Sequence, residues 1–290
     1  MFNIERKKII FSVFFLLFIG FSLVFVMKLT YFSKLLNPSK KTVNNDKLVS
    51  DKKVEKPTFK PSISIVLVDL GLNEKEFKDA LQLPNFISFG FSPYSSLIEK
   101  FVEKAREDGH DTLINIPTET LNYFFEDSGP YALLGNLDNS TENAKRLEFI
   151  FSKSQNMDTY YTSIGDAYTD DVEDLTFLLN KIKGKKVNLL YNDAKNIKPV
   201  FQVAENLNIL SQIAQVTMIL DSSTDKLLIR EGLAQLKYYA VARGIAIGFI
   251  RPYPISIETL NEWLQSMNDA DVQIVPISRI FDILKIMHKE

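Results

Sequence analysis

Cysteine is absent from the 290 residues, so disulfides, thiolate nucleophiles and cysteine-based zinc sites are excluded. Histidine is scarce: there are two, His110 and His288, and only Lys289 and Glu290 come after the second. A zinc site with two imidazoles would have to enlist that tail, so counting alone argues against one. Charge of either sign is not in excess, with 34 Lys and Arg against 36 Asp and Glu and a formal net charge of −2. With no basic patch interleaved with aromatics, nucleic acid is not an expected partner. A phosphate-cradling glycine loop is also missing, since Gly71 stands without a GxGxxG around it.

What is present begins with an uncharged apolar run, IIFSVFFLLFIGFSLVFVM over residues 9–27. It is long enough to cross a hydrocarbon core of about 30 Å as a helix. Arg6, Lys7 and Lys8 precede it, which favours a cytoplasmic stretch over residues 1–8 and places the remainder of the chain outside the cytoplasm, on the periplasmic side. Lys28, Lys34, Lys40 and Lys41 lie beyond it and weaken that asymmetry. A cleaved signal peptide is the alternative, but nothing like Ala-x-Ala succeeds Met27. Residues 28–61, rich in Lys, Asn, Asp, Ser and Pro, read as a flexible tether, and a globular domain is expected over 62–290.

Strand-like and helix-like segments then alternate. Strands are expected at 62–70, 86–91, 111–116, 158–164, 187–191, 214–220, 245–250 and 272–276. Helices are expected at 74–82, 96–108, 141–152, 171–181, 199–207, 226–242, 257–267 and 279–287. Seven or eight βα repeats with short loops argue for a parallel, barrel-like α/β domain, with a doubly wound open sheet as the alternative. The first strand, SISIVLVDL, reads as buried on both faces and puts Asp69 at its C-terminal end, where parallel α/β folds place their chemistry. Asp69 has two competing roles there, as an active carboxylate or as a group that caps the next helix or bonds loop amides.

Seven segments carry a resemblance: VDLGLN at 68–73, LPNFISFGFSPY at 83–94, AREDGHDTLINIPTE at 105–119, DSGPYALL at 127–134, LDSSTD at 220–225, ARGIAIGFIRPYP at 242–254 and VPIS at 275–278. In this order and spacing the chain resembles the divergent polysaccharide deacetylases. The resemblance implies a distorted (β/α) barrel of about seven parallel strands, here behind one N-terminal transmembrane helix, and metal-dependent hydrolysis of an acetamide on envelope polysaccharide. It also implies an opening Asp-Asp-x-Gly whose first carboxylate is the general base and whose second is a metal ligand. This chain has Val68 in the first place and Asp69 in the second. A histidine ligand is replaced by Ser163, with Asp166 close behind, and a Gly-His-Pro becomes a stretch with Arg251 before Pro252. An Asp-Ser pair falls on Tyr191-Asn192 or Asn192-Asp193, with the register open, while Gly109-His110-Asp111 matches a Gly-His-Glu.

The expected site therefore comprises Asp69, His110, Glu119, Ser163, Asp166 and Arg251, with Asp69 and His110 catalytic if the site is active. Zinc or another divalent cation is expected only in that active case, with Asp69 the one strong candidate ligand; otherwise no cofactor is expected. Arg251 either pairs bidentately with Asp69, replacing the cation's charge with a fixed one, or lies on a surface loop. Tyr160, Tyr161 and Tyr168 either stack on sugar rings or pack the strand, and Asp170 and Asp171 suit the first turn of a helix. Three functions are compatible with these residues: an envelope glycan-binding domain with a decayed metal site, an active deacetylase or hydrolase rebuilt around Asp69 and His110, or a module that binds another envelope protein.

Overall fold

The structure is a computed structural model and describes residues 59–119, 128–135, 140–154, 156–163, 168, 172–192, 197–267 and 272–288. The expected transmembrane segment, almost all of the tether, and Asp166, Asp170, Asp171 and Asp193 lie outside the described residues. Among the described residues no helix is long and apolar enough to cross a membrane.

The strands are β1 (Ser62–Leu70), β2 (Ser88–Phe91), β3 (Thr112–Asn115), β4 (Thr159–Ser163), β5 (Asn188–Asn192), β6 (Ile213–Gln215), β7 (Met218–Ile219), β8 (Ile245–Ile250) and β9 (Gln273–Ile274). The helices are α1 (Glu74–Ala80), α2 (Ile98–Glu107), α3 (Ser140–Lys153), α4 (Val172–Lys185), α5 (Ile197–Asn206), α6 (Lys226–Arg243), α7 (Pro254–Ser266) and α8 (Ile277–Met287). All strand pairs are parallel, in the order β6-β5-β4-β3-β2-β1-β8-β7, with β9 joining the first residues of β1. The sheet curls round with helices about it, an α/β barrel-like fold.

The segment expected as one strand over 214–220 is two strands because it changes partner. β6 pairs with β5 and β7 with β8, and the switch falls at Val216, whose N–H donates to Tyr191 O, and Thr217, whose N–H donates to Ile247 O. These two residues bring the ends of the sheet together. Counted as one, β6 and β7 leave seven main strands and the short β9 among the described residues.

Strand alternation sorts the apolar side chains into two layers. Ile63, Ile65 and Leu67 of β1 face the surrounding helices, whereas Val66 and Val68 join Leu113, Tyr161, Leu190, Ile247 and Phe249 inside the curl. Ile277, Ile280 and Phe281 of α8 close the inner layer at the end where the strands begin. Two contacts seat that helix: Ile277 N–H donates to Ser88 Oγ at 2.9 Å and Ser278 N–H to Asp111 Oδ2 at 2.8 Å.

Candidate functional site

At the C-terminal ends of the strands, the mouth of the curl, the inward positions turn polar. Asn115, Ser163 and Asn192 stand two residues beyond the inward-facing Leu113, Tyr161 and Leu190, so alternation puts them above the apolar layer. Asp69 joins this rim through a break in regularity. The β1–β2 register shifts between Leu67 and Leu70, and Asp69 takes φ 63°, a left-handed conformation that Asn and Asp tolerate better than other residues with a side chain. It is the one exposed residue of an otherwise buried strand.

The capping role for Asp69 is not what the structure shows. Asn73 caps α1, its Oδ1 accepting from Lys75 N–H at 2.9 Å and Glu76 N–H at 3.4 Å. Asp69 instead meets Tyr161 of β4, whose hydroxyl accepts from Asp69 N–H at 3.0 Å and donates to Asp69 Oδ1 at 3.2 Å. Although the residue opens to solvent, protein crowds the carboxyl, and lost hydration raises its pKa above the usual aspartate value. The Tyr161 hydrogen bond and the Arg251 charge pull it down, and the Asp221 charge pushes it up.

Arg251 is not bidentate with Asp69; it stands on the loop after β8 with its side chain partly exposed. Its direct partner is Asp221, which comes just after β7 and is fully buried. Asp221 Oδ2 accepts from Arg251 N–H at 2.9 Å and Ser256 Oγ at 3.0 Å, and Oδ1 from Arg251 Nε at 3.4 Å. Arg251 Nη2 also donates to the Asp221 carbonyl, and the guanidinium lies over the Tyr253 ring, 5.1 Å from its centroid. The mouth thus holds a fixed cation, neutralised by a buried carboxylate and felt by Asp69 only through its field.

His110 is not brought to this site. It precedes β3, so it lies at the opposite end of a parallel sheet. Thr112 pairs with Phe89 and Phe89 with Leu67, which puts His110 level with Ile65, four residues short of Asp69 or roughly 13 Å at about 3.3 Å per residue. The ring is buried, stacks on Phe89 at 3.9 Å between centroids, and its Nδ1 bonds Ile87 O at 2.8 Å. It lines a separate cavity of about 250 Å³ with Arg106, Asp111 and Asp158. A catalytic centre combining Asp69 with His110 is ruled out by this topology.

Glu119 and Ser163 do reach the mouth end. The Glu119 carboxylate accepts from Gly135 N–H at 3.2 Å, bracing a loop. Ser163 is exposed, and its carbonyl accepts from Thr118 Oγ1 at 2.9 Å. The three tyrosines do not form one cluster: Tyr160 and Tyr168 belong to the helix-side layer, Tyr160 bonding Ser154 Oγ at 2.6 Å and Tyr168 donating its hydroxyl to Asp174 O at 3.0 Å, whereas Tyr161 turns inward. β5 ends at Asn192, so Tyr191 and Asn192 are its last residues.

The described residues do not fit the metal that the resemblance implies. Among them no three His, Asp or Glu side chains converge. Of the three described carboxylates at the mouth end, Asp69 is engaged by a phenol, Asp221 by a guanidinium that repels a cation, and Glu119 by the Gly135 N–H. Tyr161 and Asp221 are absent from the expected site, yet each left a signal. Asp221 is a second carboxylate just after a predicted strand, and adjacent tyrosines on a strand must face opposite ways.

Comparison with known proteins adds the family context. The model of the divergent polysaccharide deacetylases matches residues 65–281. An uncharacterized protein of Haemophilus influenzae (strain ATCC 51907 / DSM 11121 / KW20 / Rd) is 23% identical over 221 residues, 76% of each chain. The crystal structure of an uncharacterized protein from Agrobacterium tumefaciens C58 superposes with a TM-score of 0.70 at 22% identity, covering 78% of this chain and 91% of that one.

Proposed function

The chain belongs to the divergent polysaccharide deacetylase family, and from that premise we propose that its barrel mouth binds envelope glycan without deacetylating it. In this reading residues 9–27 anchor the chain in the membrane and the domain works on the periplasmic side. The observation that carries it is the Arg251–Asp221 pair, which holds a guanidinium at the mouth where a catalytic cation would need open carboxylates. Val68 supports it: the place that the resemblance gives to a general base is buried and apolar. Polar rim groups above an apolar floor suit a sugar, whose hydroxyls and acetamide need both donors and acceptors.

Asp69 is the acceptor in this site, and Ser163 and Asn192 line the rim. The test is co-sedimentation of the full chain with insoluble peptidoglycan or chitin. Retention is expected, weakened roughly tenfold in Asp69→Asn by loss of a charged acceptor. Absence of retention on either polymer overturns the proposal.

A second reading has one observation in its favour. A carboxylate whose pKa is raised by crowding is a better proton acceptor than an ordinary aspartate, so Asp69 could serve hydrolysis in a chain that retains turnover. Acetate release separates the two readings. The third function, a module for an envelope protein partner, predicts co-purification of a stable partner without glycan affinity.

A further inference from the structure

We propose that Tyr161 is the positioning residue of the mouth, holding Asp69 in its left-handed backbone conformation and fixing the direction from which the carboxylate meets a ligand. The proposal rests on the glycan-site reading for its function, but its first test needs no ligand.

One oxygen atom makes both contacts. The Tyr161 hydroxyl accepts from the Asp69 backbone N–H at 3.0 Å and donates to the Asp69 side chain at 3.2 Å. A single partner bonded to both ends of one residue restrains its φ and its side-chain torsion together, and φ is 63°. Such a conformation persists only where surrounding structure over-determines it.

The phenol arrives from beyond two intervening strands. β3 and β2 stand between β4 and β1, so the ring must cross the inside of the curl. Gly90 of β2 makes the crossing possible, because a Cβ there would lie 2.7 Å from Tyr161 Cε1. On another side Phe249 meets the ring edge-on, 5.6 Å away at 81°. Clamped in this way, the ring has one polar atom and a single pair of partners for it. Burial and the nearby Asp69 charge push the Tyr161 pKa well above the ordinary phenol value, so the hydroxyl stays protonated and keeps its donor role. The charged groups acting on Asp69 from other elements are Arg251, after β8, and Asp221, after β7.

A tyrosine that merely fills the interior would be replaced by phenylalanine without consequence for Asp69. The experiment is therefore a pH titration of the Asp69 carboxyl carbon by NMR in the full chain labelled with 13C-aspartate, comparing wild type with Tyr161→Phe. The phenol hydrogen bond favours the ionised form, so the Asp69 midpoint is expected to rise in the variant. An unchanged midpoint overturns the proposal. A second measurement needs no variant: in wild type the Asp69 amide is expected to be protected from hydrogen exchange, and fast exchange contradicts the clamp. With chitotetraose as probe, Tyr161→Phe is expected to weaken binding roughly tenfold at neutral pH, with no further loss when Asp69→Asn is added. Failure of wild type to bind chitotetraose would count against the glycan reading alone, while the titration still decides the clamp.

Discussion

Replacing Asp221 by alanine probes the feature that distinguishes this mouth, and its cost can be worked from the contacts. The carboxylate is fully buried and accepts three hydrogen bonds, from Arg251 N–H, Arg251 Nε and Ser256 Oγ. Bonds to a charged group contribute about 1.5–3 kcal/mol each in favourable geometry, but the 3.4 Å contact to Nε is long. The Arg251 side chain is 35% exposed, so its guanidinium regains water when its partner goes, and the cost of burying Asp221 is recovered. The backbone N–H of Arg251 and the Ser256 hydroxyl regain little. These terms together leave a destabilisation of about 3 kcal/mol, in line with removing one partner of a buried pair. For a domain of this size that lowers the melting midpoint by roughly 6–12 °C. The only tryptophan, Trp263, lies on α7, the helix that also carries Ser256, so urea unfolding monitored by its fluorescence reports the change directly. Asp221→Asn, which keeps the shape and one acceptor, should lose about half as much. A loss below about 1 kcal/mol for alanine would refute the idea that this pair organises the mouth.

Three further outcomes rest on the same geometry. Gly90→Ala places a methyl 2.7 Å from the Tyr161 ring and is expected to cost about 1–3 kcal/mol by overpacking, read as a lower urea midpoint; an unchanged midpoint contradicts the close approach. Asp69→Asn keeps a residue type suited to φ 63° and removes a crowded charge, so it is expected to be at least as stable as wild type. Because the folded pKa of Asp69 is raised, its stabilising contribution is complete below the unfolded aspartate value and is lost as pH rises through the folded one. The advantage of Asn over Asp should therefore be nil in acid and grow upward through that window, and the opposite trend in paired melts would refute it. His110→Ala is expected to cost stability, through lost stacking on Phe89 and the lost bond to Ile87 O, and to leave glycan retention at the mouth within about twofold; a roughly tenfold loss would contradict its remote placement.

Much of the fold was legible in the sequence because parallel strands buried on both faces read as apolar runs and their helices as capped, amphipathic stretches. β8 falls at Ile245–Ile250 as expected, and Gly109 (φ 88°) ends the turn after α2. The site was legible where a residue stands at the end of its own strand or on a matching motif. Asp69 is identified by its position at a strand end, and Arg251 by the resemblance, where it takes the place of a histidine before proline. The pairing of Tyr161 with Asp69 spans 92 positions and is made across the inside of the curl, while that of Arg251 with Asp221 spans 30 and is made by the pairing of β7 with β8. His110 was misplaced although its signal was present. A residue that opens a strand belongs at the N-terminal end of a parallel sheet, and pattern resemblance outweighed that rule.

The central claim is that the mouth binds glycan but does not deacetylate it. Its most direct test is enzymatic quantification of acetate released when the full chain is incubated with N-acetylated peptidoglycan fragments that it retains. Retention with no acetate above that of a buffer control is the predicted result. Multiple turnovers of acetate release, abolished in Asp69→Asn, would contradict it.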